Sequence, residues 1–362
     1  MGAIRQDLID LMLIPGLSGH ETRVARAIRD RLAEDGIEAT PDRMGNLAAT
    51  FSGDDGAPSV MLFTHTDQLG FFVRRIGEDG FVRVERMGGV SERAMAAQAV
   101  VLCTDKGDIP GLIMNKAHHA TGQEDKYRVV TTRDILIDTG HGSKAAVEAA
   151  GVKIGTPVVY RPQVMELAGR RIAGTSIDDR AGCAVAMEVA RRLAGRKGGP
   201  TVHVVFTVQE EFNLRGAQVA AQRLKPDCAI QLDILLATDS PDMADHGEIM
   251  MGGGPGISLY NFHGRGTLNG TIPHPAMVRL FEDTAAAEGI PLQRSAMVGV
   301  LTDNAYVQLV GEGVACIDAG FPMRHSHSAL ESCDIGDLEQ LADLLTAAIA
   351  GIGPDFPLIR SL

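Results

Sequence analysis

The segment Val202-His203-Val204-Val205-Phe206-Thr207-Val208 is an apolar, β-branched run that leads directly into Gln209-Glu210-Glu211. This composition is typical of a buried β-strand, and the acids that follow it mark the strand's carboxyl end. Because consecutive strand residues point to opposite faces, the two carboxylates can diverge, one towards a metal ion and the other towards a water bound to it. The alternative is that the strand simply ends in a polar turn.

Helical and strand patterns alternate on both sides of this segment. Between residues 7 and 32, apolar residues at helical spacing flank Pro15-Gly16-Leu17-Ser18-Gly19, which predicts two helices joined by a loop. Within this region, Ser18 and Glu21 have the spacing of a helix capping box. Further strands are predicted over 60–63 and 228–233, and further helices over 181–193 and 217–224. The alternation predicts an α/β fold, a mixed and largely parallel sheet flanked by helices.

Residues 69–163 have a different character. Glycine is frequent there, short alternating segments such as Phe81-Val82-Arg83-Val84-Glu85-Arg86 predict strands, and a helix is indicated only near 143–150. The sequence therefore predicts a small β domain inserted into the α/β domain. We expect a discontinuous catalytic domain made of residues 1–68 and 164–362, with the inserted β domain over residues 69–163.

Composition excludes several classes of function. The chain has 362 residues and 45% hydrophobic content, enough for large buried cores and more than one domain. A net charge of −12, no basic run and no Trp argue against nucleic acid as a partner. The apolar runs are too short for a membrane span, and the amino terminus lacks the apolar segment of a secretion signal. We therefore expect a soluble protein of the cytoplasm that binds no membrane.

Cysteine usage narrows the kind of metal site to expect. The five cysteines are far apart and show no CxxC pair, which argues against a disulfide framework and a thiolate zinc site. Acids and histidines instead recur at the ends of predicted strands and in the adjoining turns. They are His65, Asp67, Asp178, Asp179, Glu210, Glu211, Asp233, His325 and His327.

Ligand sites in sheets of this type collect at the carboxyl ends of the strands, so we expect these side chains to lie close together. Carboxylates and imidazoles without thiolates are typical donors for a hydrolytic zinc, cobalt or manganese centre with open positions. Each residue also has a plain structural explanation. Asp178 is suited to a helix N-cap, Asp233 to a turn, and His327 to an exposed surface.

In their order along the chain, these motifs resemble those of the glutamyl aminopeptidase family of dinuclear metallopeptidases, which includes the tetrahedral (TET) aminopeptidases and proteins labelled cellulase M. The resemblance covers nearly the whole chain and implies a zinc-dependent exopeptidase-like fold with an inserted β-barrel. The residues that carry it are His65-Thr66-Asp67, Asp178-Asp179-Arg180-Ala181-Gly182, Gln209-Glu210-Glu211, Leu214-Arg215-Gly216-Ala217, Thr238-Asp239-Ser240-Pro241, Thr302-Asp303, Arg324, His327-Ser328 and Glu331.

The resemblance implies a site for two divalent metal ions in each subunit, zinc in the first place, with cobalt or manganese as alternatives. One ion would be held by His65 and Asp233 and the other by Glu211 and His327. Asp178 would bridge the two ions, and the peptide bond that follows it would be cis.

The resemblance also implies roles in the chemistry. Glu210 would be the general base, taking a proton from a metal-bound water so that hydroxide attacks the scissile carbonyl. Asp67 would orient His65 by hydrogen-bonding its far ring nitrogen. His325, two residues before His327, is a competing candidate for the last ligand position.

The expected activity is removal of amino-terminal residues from peptides, by a cage-like homo-oligomer, for example a tetrahedral dodecamer, assembled through the inserted domain. Departures from the family pattern concern the substrate, for example Gln68, Phe212-Asn213 and Val300-Leu301. The alternatives are a related metal-dependent amidohydrolase acting on a small non-peptide or modified-peptide amide, and a non-catalytic assembly protein. A cellulase is disfavoured because glycosidases bind sugars in aromatic-rich grooves, and this chain has no Trp.

Overall fold

The computed structural model describes residues 2–264 and 269–360. The strands, in chain order, are β1 (Ala39–Pro41), β2 (Leu47–Phe51), β3 (Ser59–His65), β4 (Gly70–Ile76), β5 (Val82–Met87), β6 (Ala99–Thr104), β7 (Gly107–Ile113), β8 (Ile137–Asp138), β9 (Pro157–Tyr160), β10 (Val164–Glu166), β11 (Arg171–Gly174), β12 (Thr201–Thr207), β13 (Cys228–Leu236), β14 (Gly256–Phe262), β15 (Gly270–Thr271), β16 (Gln293–Val298), β17 (Ala315–Arg324) and β18 (Glu331–Asp334). The helices are α1 (Ala3–Met12), α2 (Thr22–Glu34), α3 (Lys144–Ala149), α4 (Ile177–Leu193), α5 (Gly216–Leu224), α6 (Pro275–Glu288), α7 (Asn304–Val307) and α8 (Ile335–Ala350).

A 12-stranded mixed sheet forms the centre of the molecule, with the strand order β1-β2-β12-β3-β13-β17-β18-β11-β10 and with β14, β15 and β16 attached beside β17. The neighbouring strands β12, β3, β13 and β17 run parallel to one another. Their carboxyl ends therefore meet at one edge of the sheet. This arrangement confirms the predicted α/β fold with its mixed, largely parallel centre.

Helices cover both faces of this sheet. On one face, Val60 and Leu62 of β3 pack in a core with residues of α1, α2, α4, α6 and α8. On the other face, Met61 and Phe63 of the same strand pack against α5 and α7. A strand buried on both sides explains the unbroken apolar runs of the sequence. No helix within the described parts of the chain is both long enough and apolar enough to cross a membrane.

A second, smaller sheet closes into a six-stranded barrel with the order β4-β5-β8-β7-β6-β9. Its strands all lie between Gly70 and Tyr160, and its interior is a separate core that includes Phe71, Val84 and Leu102. This closed barrel confirms the predicted β-barrel fold of the inserted segment. Its one α-helix, α3, lies where the sequence predicts it, capped by the Ser143 hydroxyl.

The predicted helices on either side of the loop 15–19 are present as α1 and α2, but the predicted capping box is wrong. Glu21 precedes the first turn of α2 without making a side-chain cap, and its Oε1 accepts instead from the backbone N–H of Gly19, at 2.6 Å. The Ser18 hydroxyl donates to Asp67. Both side chains face the edge of the sheet where the strands end.

Candidate active site

The sheet brings the predicted site residues together from four parallel strands. His65 is the last residue of β3, Glu211 follows β12, and His327 follows β17. The sequence predicts that the strand 228–233 ends at Asp233. In the structure, Asp233 lies inside β13, which continues to residue 236. Asp178 stands at the start of α4, where its own backbone is not helical (ψ of 106°) and the peptide bond to the next residue is cis.

Two groups of three side chains have the spacing of metal ligands. His65, Asp178 and Asp233 form one group, and Asp178, Glu211 and His327 form the other. Within each group, the donor atoms all lie within 4.8 Å of one another. Asp178 belongs to both groups because its Oδ1 lies 3.0 Å from His65 Nε2 and its Oδ2 lies 3.6 Å from His327 Nε2. These are the five residues that the resemblance implied as ligands.

Backbone carbonyls orient both histidine rings. His65 Nδ1 lies 3.2 Å from the carbonyl oxygen of Asp67 and 3.5 Å from its Oδ1, so the backbone, rather than the expected carboxylate, is the nearer partner. His327 Nδ1 lies 3.1 Å from the carbonyl oxygen of Gly89. A carbonyl oxygen can only accept, so each Nδ1 carries a proton and each Nε2 faces the acids, where it can bind a metal once no proton is held there.

Two carboxylates from distant parts of the chain accept hydrogen bonds from the backbone of residues 209–211. Asp67 accepts from the N–H groups of Glu210 and Glu211, each at 3.0 Å, and Glu21 accepts from Gln209, at 3.1 Å. Gln209 itself has a left-handed φ of 59°, a conformation that persists when its surroundings fix it. Asp67 therefore positions Glu210 as well as contacting His65.

Two further residues support the ligands and were not assigned a role from the sequence. Glu331 accepts from the backbone N–H groups of Asp178, at 3.0 Å, and His327, at 2.9 Å, and so ties two proposed ligands to one carboxylate. Gln231 donates through Nε2 to Asp233 Oδ2, at 3.0 Å. In the sequence, Glu331 is marked only by its place in a motif, and no local pattern marks Gln231.

The donor set fits a pair of divalent cations. Burial and the neighbouring Asp178 charge raise the pKa of Glu211 well above its ordinary value and that of Asp233 to about 8. Burial, opposed in part by His65 and reinforced by Glu211, also raises the pKa of Glu210. Crowded, buried carboxylates of this kind are stabilised when cations bind among them. Oxygen and imidazole donors without a thiolate suit a catalytic rather than a closed structural site.

We expect metal binding to release protons. Burial disfavours the charged form of His65, but hydrogen bonds with Asp178 and Asp67 outweigh this effect and raise its pKa. Near neutral pH, the proton on Asp233 must therefore leave before this side chain can bind a metal, and the raised pKa values of His65 and Glu211 act in the same direction. The apparent affinity for Zn²⁺ should rise between about pH 6 and about pH 8, because fewer protons then compete. Calorimetry in buffers of different ionisation enthalpy measures this release, and heats independent of the buffer would contradict it.

A cavity of about 610 Å³ opens in front of the two ligand groups. Apolar side chains, among them Ile234, Leu236 and Met323, line part of it, together with Asn213. Phe212 is not among the described residues that line this cavity; its ring packs against the Arg215 guanidinium, with the cation 5.4 Å from the ring centre. The aromatic side chain that follows the paired acids therefore lies outside the lining of this cavity.

Variants of the two histidines should separate the competing ligand candidates. His327 Nε2 lies 3.8 Å from Glu211 Oε1, whereas His325 lines the cavity but belongs to neither group of three. We expect His327→Ala to lose one of two tightly bound metal ions and most activity. His325→Ala should keep both ions, with activity within roughly tenfold of wild type, since a single contact of about 1.4 kcal/mol corresponds to a factor of ten. Metal content by mass spectrometry after dialysis checks this, and the reverse pattern would make His325 the ligand.

Known proteins are similar to this chain in both sequence and structure. The model of the M42 glutamyl aminopeptidase family matches residues 45–344. The protein SgcX of Escherichia coli (strain K12) is 36% identical over 357 residues, which cover 98% of this chain and 95% of SgcX.

Solved structures agree with the family match. Aminopeptidase APDkam598 from the archaeon Desulfurococcus kamchatkensis superimposes with a TM-score of 0.91 at 30% identity, covering 99% of this chain and 98% of that chain. The TET1 peptidase of Pyrococcus horikoshii, which can assemble into a tetrahedron or a large octahedral shell, has a TM-score of 0.85 at 27% identity, with coverage of 96% and 99%. The chain belongs to the M42 glutamyl aminopeptidase family and is a metal-dependent aminopeptidase.

Proposed function

We propose that this aminopeptidase binds two divalent ions, with zinc as the first candidate and cobalt or manganese as alternatives. His65, Asp178 and Asp233 would hold one ion, and Asp178, Glu211 and His327 would hold the other. The observation that carries this proposal is the pair of three-residue groups sharing Asp178 at the edge of one cavity. Ions bound there would polarise a scissile carbonyl and lower the pKa of an attacking water.

Glu210 would act as the general base. It lines the same cavity, is only 8% exposed, and its backbone is fixed by Asp67. Because burial raises the pKa of Glu210, its carboxylate is a stronger proton acceptor than an exposed glutamate. We infer that it takes a proton from the attacking water and passes it to the leaving amine. Asp67 would then be a positioning residue for Glu210 and His65.

A panel of substrates tests the aminopeptidase reaction. Aminoacyl anilides and short peptides, with free or blocked amino termini, would be assayed after chelation and after re-addition of zinc, cobalt or manganese. We expect cleavage only with a free amino terminus and only after metal is restored. Cleavage of blocked amides alone would indicate an amidohydrolase with a different substrate, and activity untouched by chelation would exclude the metal mechanism.

We further propose that residues 69–163 form a separate domain through which the chain assembles into a homo-oligomer. The barrel has its own core, and it exposes apolar side chains such as Leu112, Met114 and Ile154. The assembly of the related TET1 peptidase supports a cage, with a tetrahedral dodecamer as the first expectation. Light scattering on the purified protein would measure the mass of the assembly, and a monomer at micromolar concentration would overturn the proposed oligomer.

We also propose that this protein is located in the cytoplasm.

A further inference from the structure

A backbone segment of the barrel reaches the proposed metal ligands. We call this segment, Gly88-Gly89-Val90-Ser91, the docking loop; it follows β5. The Gly89 carbonyl accepts from His327 Nδ1, at 3.1 Å, and the Ser91 N–H donates to the His327 carbonyl, at 3.1 Å. One proposed ligand is thus held at both its ring and its backbone by the barrel.

The two glycines leave no room for side chains next to these ligands. A Cβ added to Gly89 would lie 2.7 Å from His327 Nδ1 and 3.1 Å from its Cε1. A Cβ added to Gly88, whose φ is +77°, would lie 3.1 Å from Glu211 Oε2 and would also meet Leu69. The docking loop therefore packs closely beside Glu211 and His327, which belong to the same group of three proposed ligands.

His327 needs this external support. Its φ of 61° is left-handed, which is uncommon for a residue with a side chain and persists where several contacts fix it. One such contact comes from the large sheet, where Glu331 of β18 accepts a hydrogen bond from the His327 N–H, at 2.9 Å. The remaining contacts described above come from Gly89 and Ser91. The ring is 38% exposed, so packing alone does not fix its orientation.

We propose that the docking loop is a positioning element for one of the two metal ions. The Gly89 carbonyl holds the proton on His327 Nδ1 and turns Nε2 towards Asp178 and Glu211. The barrel thereby sets the affinity of the position formed by Asp178, Glu211 and His327, and leaves the position that includes His65 and Asp233 unaffected. This inference rests on the ligand assignment of the proposed function.

Gly89→Ala tests the inference, with Gly142→Ala as the matched control. Gly142 lies in the same barrel, and an added Cβ there would meet nothing within 4 Å. Zn²⁺ would be titrated against a chromophoric chelator. We expect Gly89→Ala to weaken one of two equivalents by about 10- to 100-fold, as when an outer partner of a metal ligand is lost, and to leave the other within about threefold. Gly142→Ala should bind both like wild type.

Ser91→Pro provides a second test if Gly89→Ala does not fold. Ser91 has a φ of −72°, which proline adopts, and proline would replace the N–H that donates to His327 with a methylene group. We expect the same selective loss of one equivalent. Ser91→Ala keeps the N–H and should bind both ions normally. A general loss of packing would weaken both equivalents together, so the selectivity separates positioning from simple destabilisation.

His327→Ala separates failure of this inference from failure of the ligand assignment. If the docking loop acts through His327, adding Gly89→Ala to His327→Ala should change the remaining Zn²⁺ affinity by less than about twofold. If His327→Ala binds two ions as tightly as wild type, the ligand assignment is wrong. If His327→Ala loses one ion while Gly89→Ala and Ser91→Pro keep both, only the docking-loop inference is overturned.

Discussion

Glu210→Gln should lower kcat by about 10²- to 10⁴-fold, the range typical of losing a general base, while both metal ions stay bound. Glutamine has nearly the same shape and can occupy the same place in the cavity, but its amide cannot accept a proton from water at neutral pH. Glu210 belongs to neither of the two ligand groups, so removing its charge should leave the ligands in place. The Asp67 hydrogen bond to the backbone of residue 210 does not depend on the side chain.

The experiment requires kcat, KM and metal content for each variant. Asp242→Asn is a suitable control because Asp242 lines the same cavity but is exposed and belongs to neither group. This control should retain both ions and a kcat within roughly tenfold of wild type. Wild-type turnover in Glu210→Gln would remove Glu210 from the role of base. Loss of an ion in that variant would instead make Glu210 a ligand.

Asp178→Ala should abolish the tight binding of both ions, whereas Asp233→Ala should weaken the binding of only one ion. The reason is geometric, because the two oxygens of Asp178 face different histidines, Oδ1 towards His65 and Oδ2 towards His327. The loss should exceed the roughly 10- to 100-fold decrease in affinity caused by losing an outer partner. Activity should fall to background in Asp178→Ala.

Thermal unfolding distinguishes this result from loss of the fold. An ion at 100 times its dissociation constant stabilises the folded protein by about 2.7 kcal/mol, so wild type should melt at a higher temperature with Zn²⁺ than with chelator. Asp178→Ala should show no such shift. With chelator present, we expect it to melt within a few degrees of wild type, because the loss of the hydrogen bond with His65 is offset in part by the removal of a buried charge next to Glu211 and Asp233. A Zn²⁺ shift equal to that of wild type would contradict the bridging role.

The α/β framework and the meeting of acids and histidines at one edge of the sheet were predictable because both depend on short-range patterns. The apolar run before Glu210 is a buried strand, and parallel strands necessarily present their carboxyl ends at one edge. His65, Glu211 and His327 follow such strands or end them, so their meeting could be expected. Order along the chain added the likeness to a family, which assigned each residue a role.

The supporting contacts were not predictable from local sequence. Ser18 and Glu21 have the spacing of a capping box, yet both make contacts across the chain, Ser18 with Asp67 and Glu21 with Gln209. Gly89 appeared only as part of a glycine-rich segment, and its contact with His327 spans 238 positions. Such contacts depend on how the barrel and the sheet pack together, which periodicity does not report.

Anomalous diffraction from crystals soaked in Zn²⁺ or Co²⁺ is the most direct test of the two-ion site. We expect two peaks, one in contact with His65 Nε2, Asp178 and Asp233, and the other in contact with Asp178, Glu211 and His327 Nε2. A single peak, two peaks that do not share Asp178, or an ion bound by His325 in place of His327 would contradict this expectation.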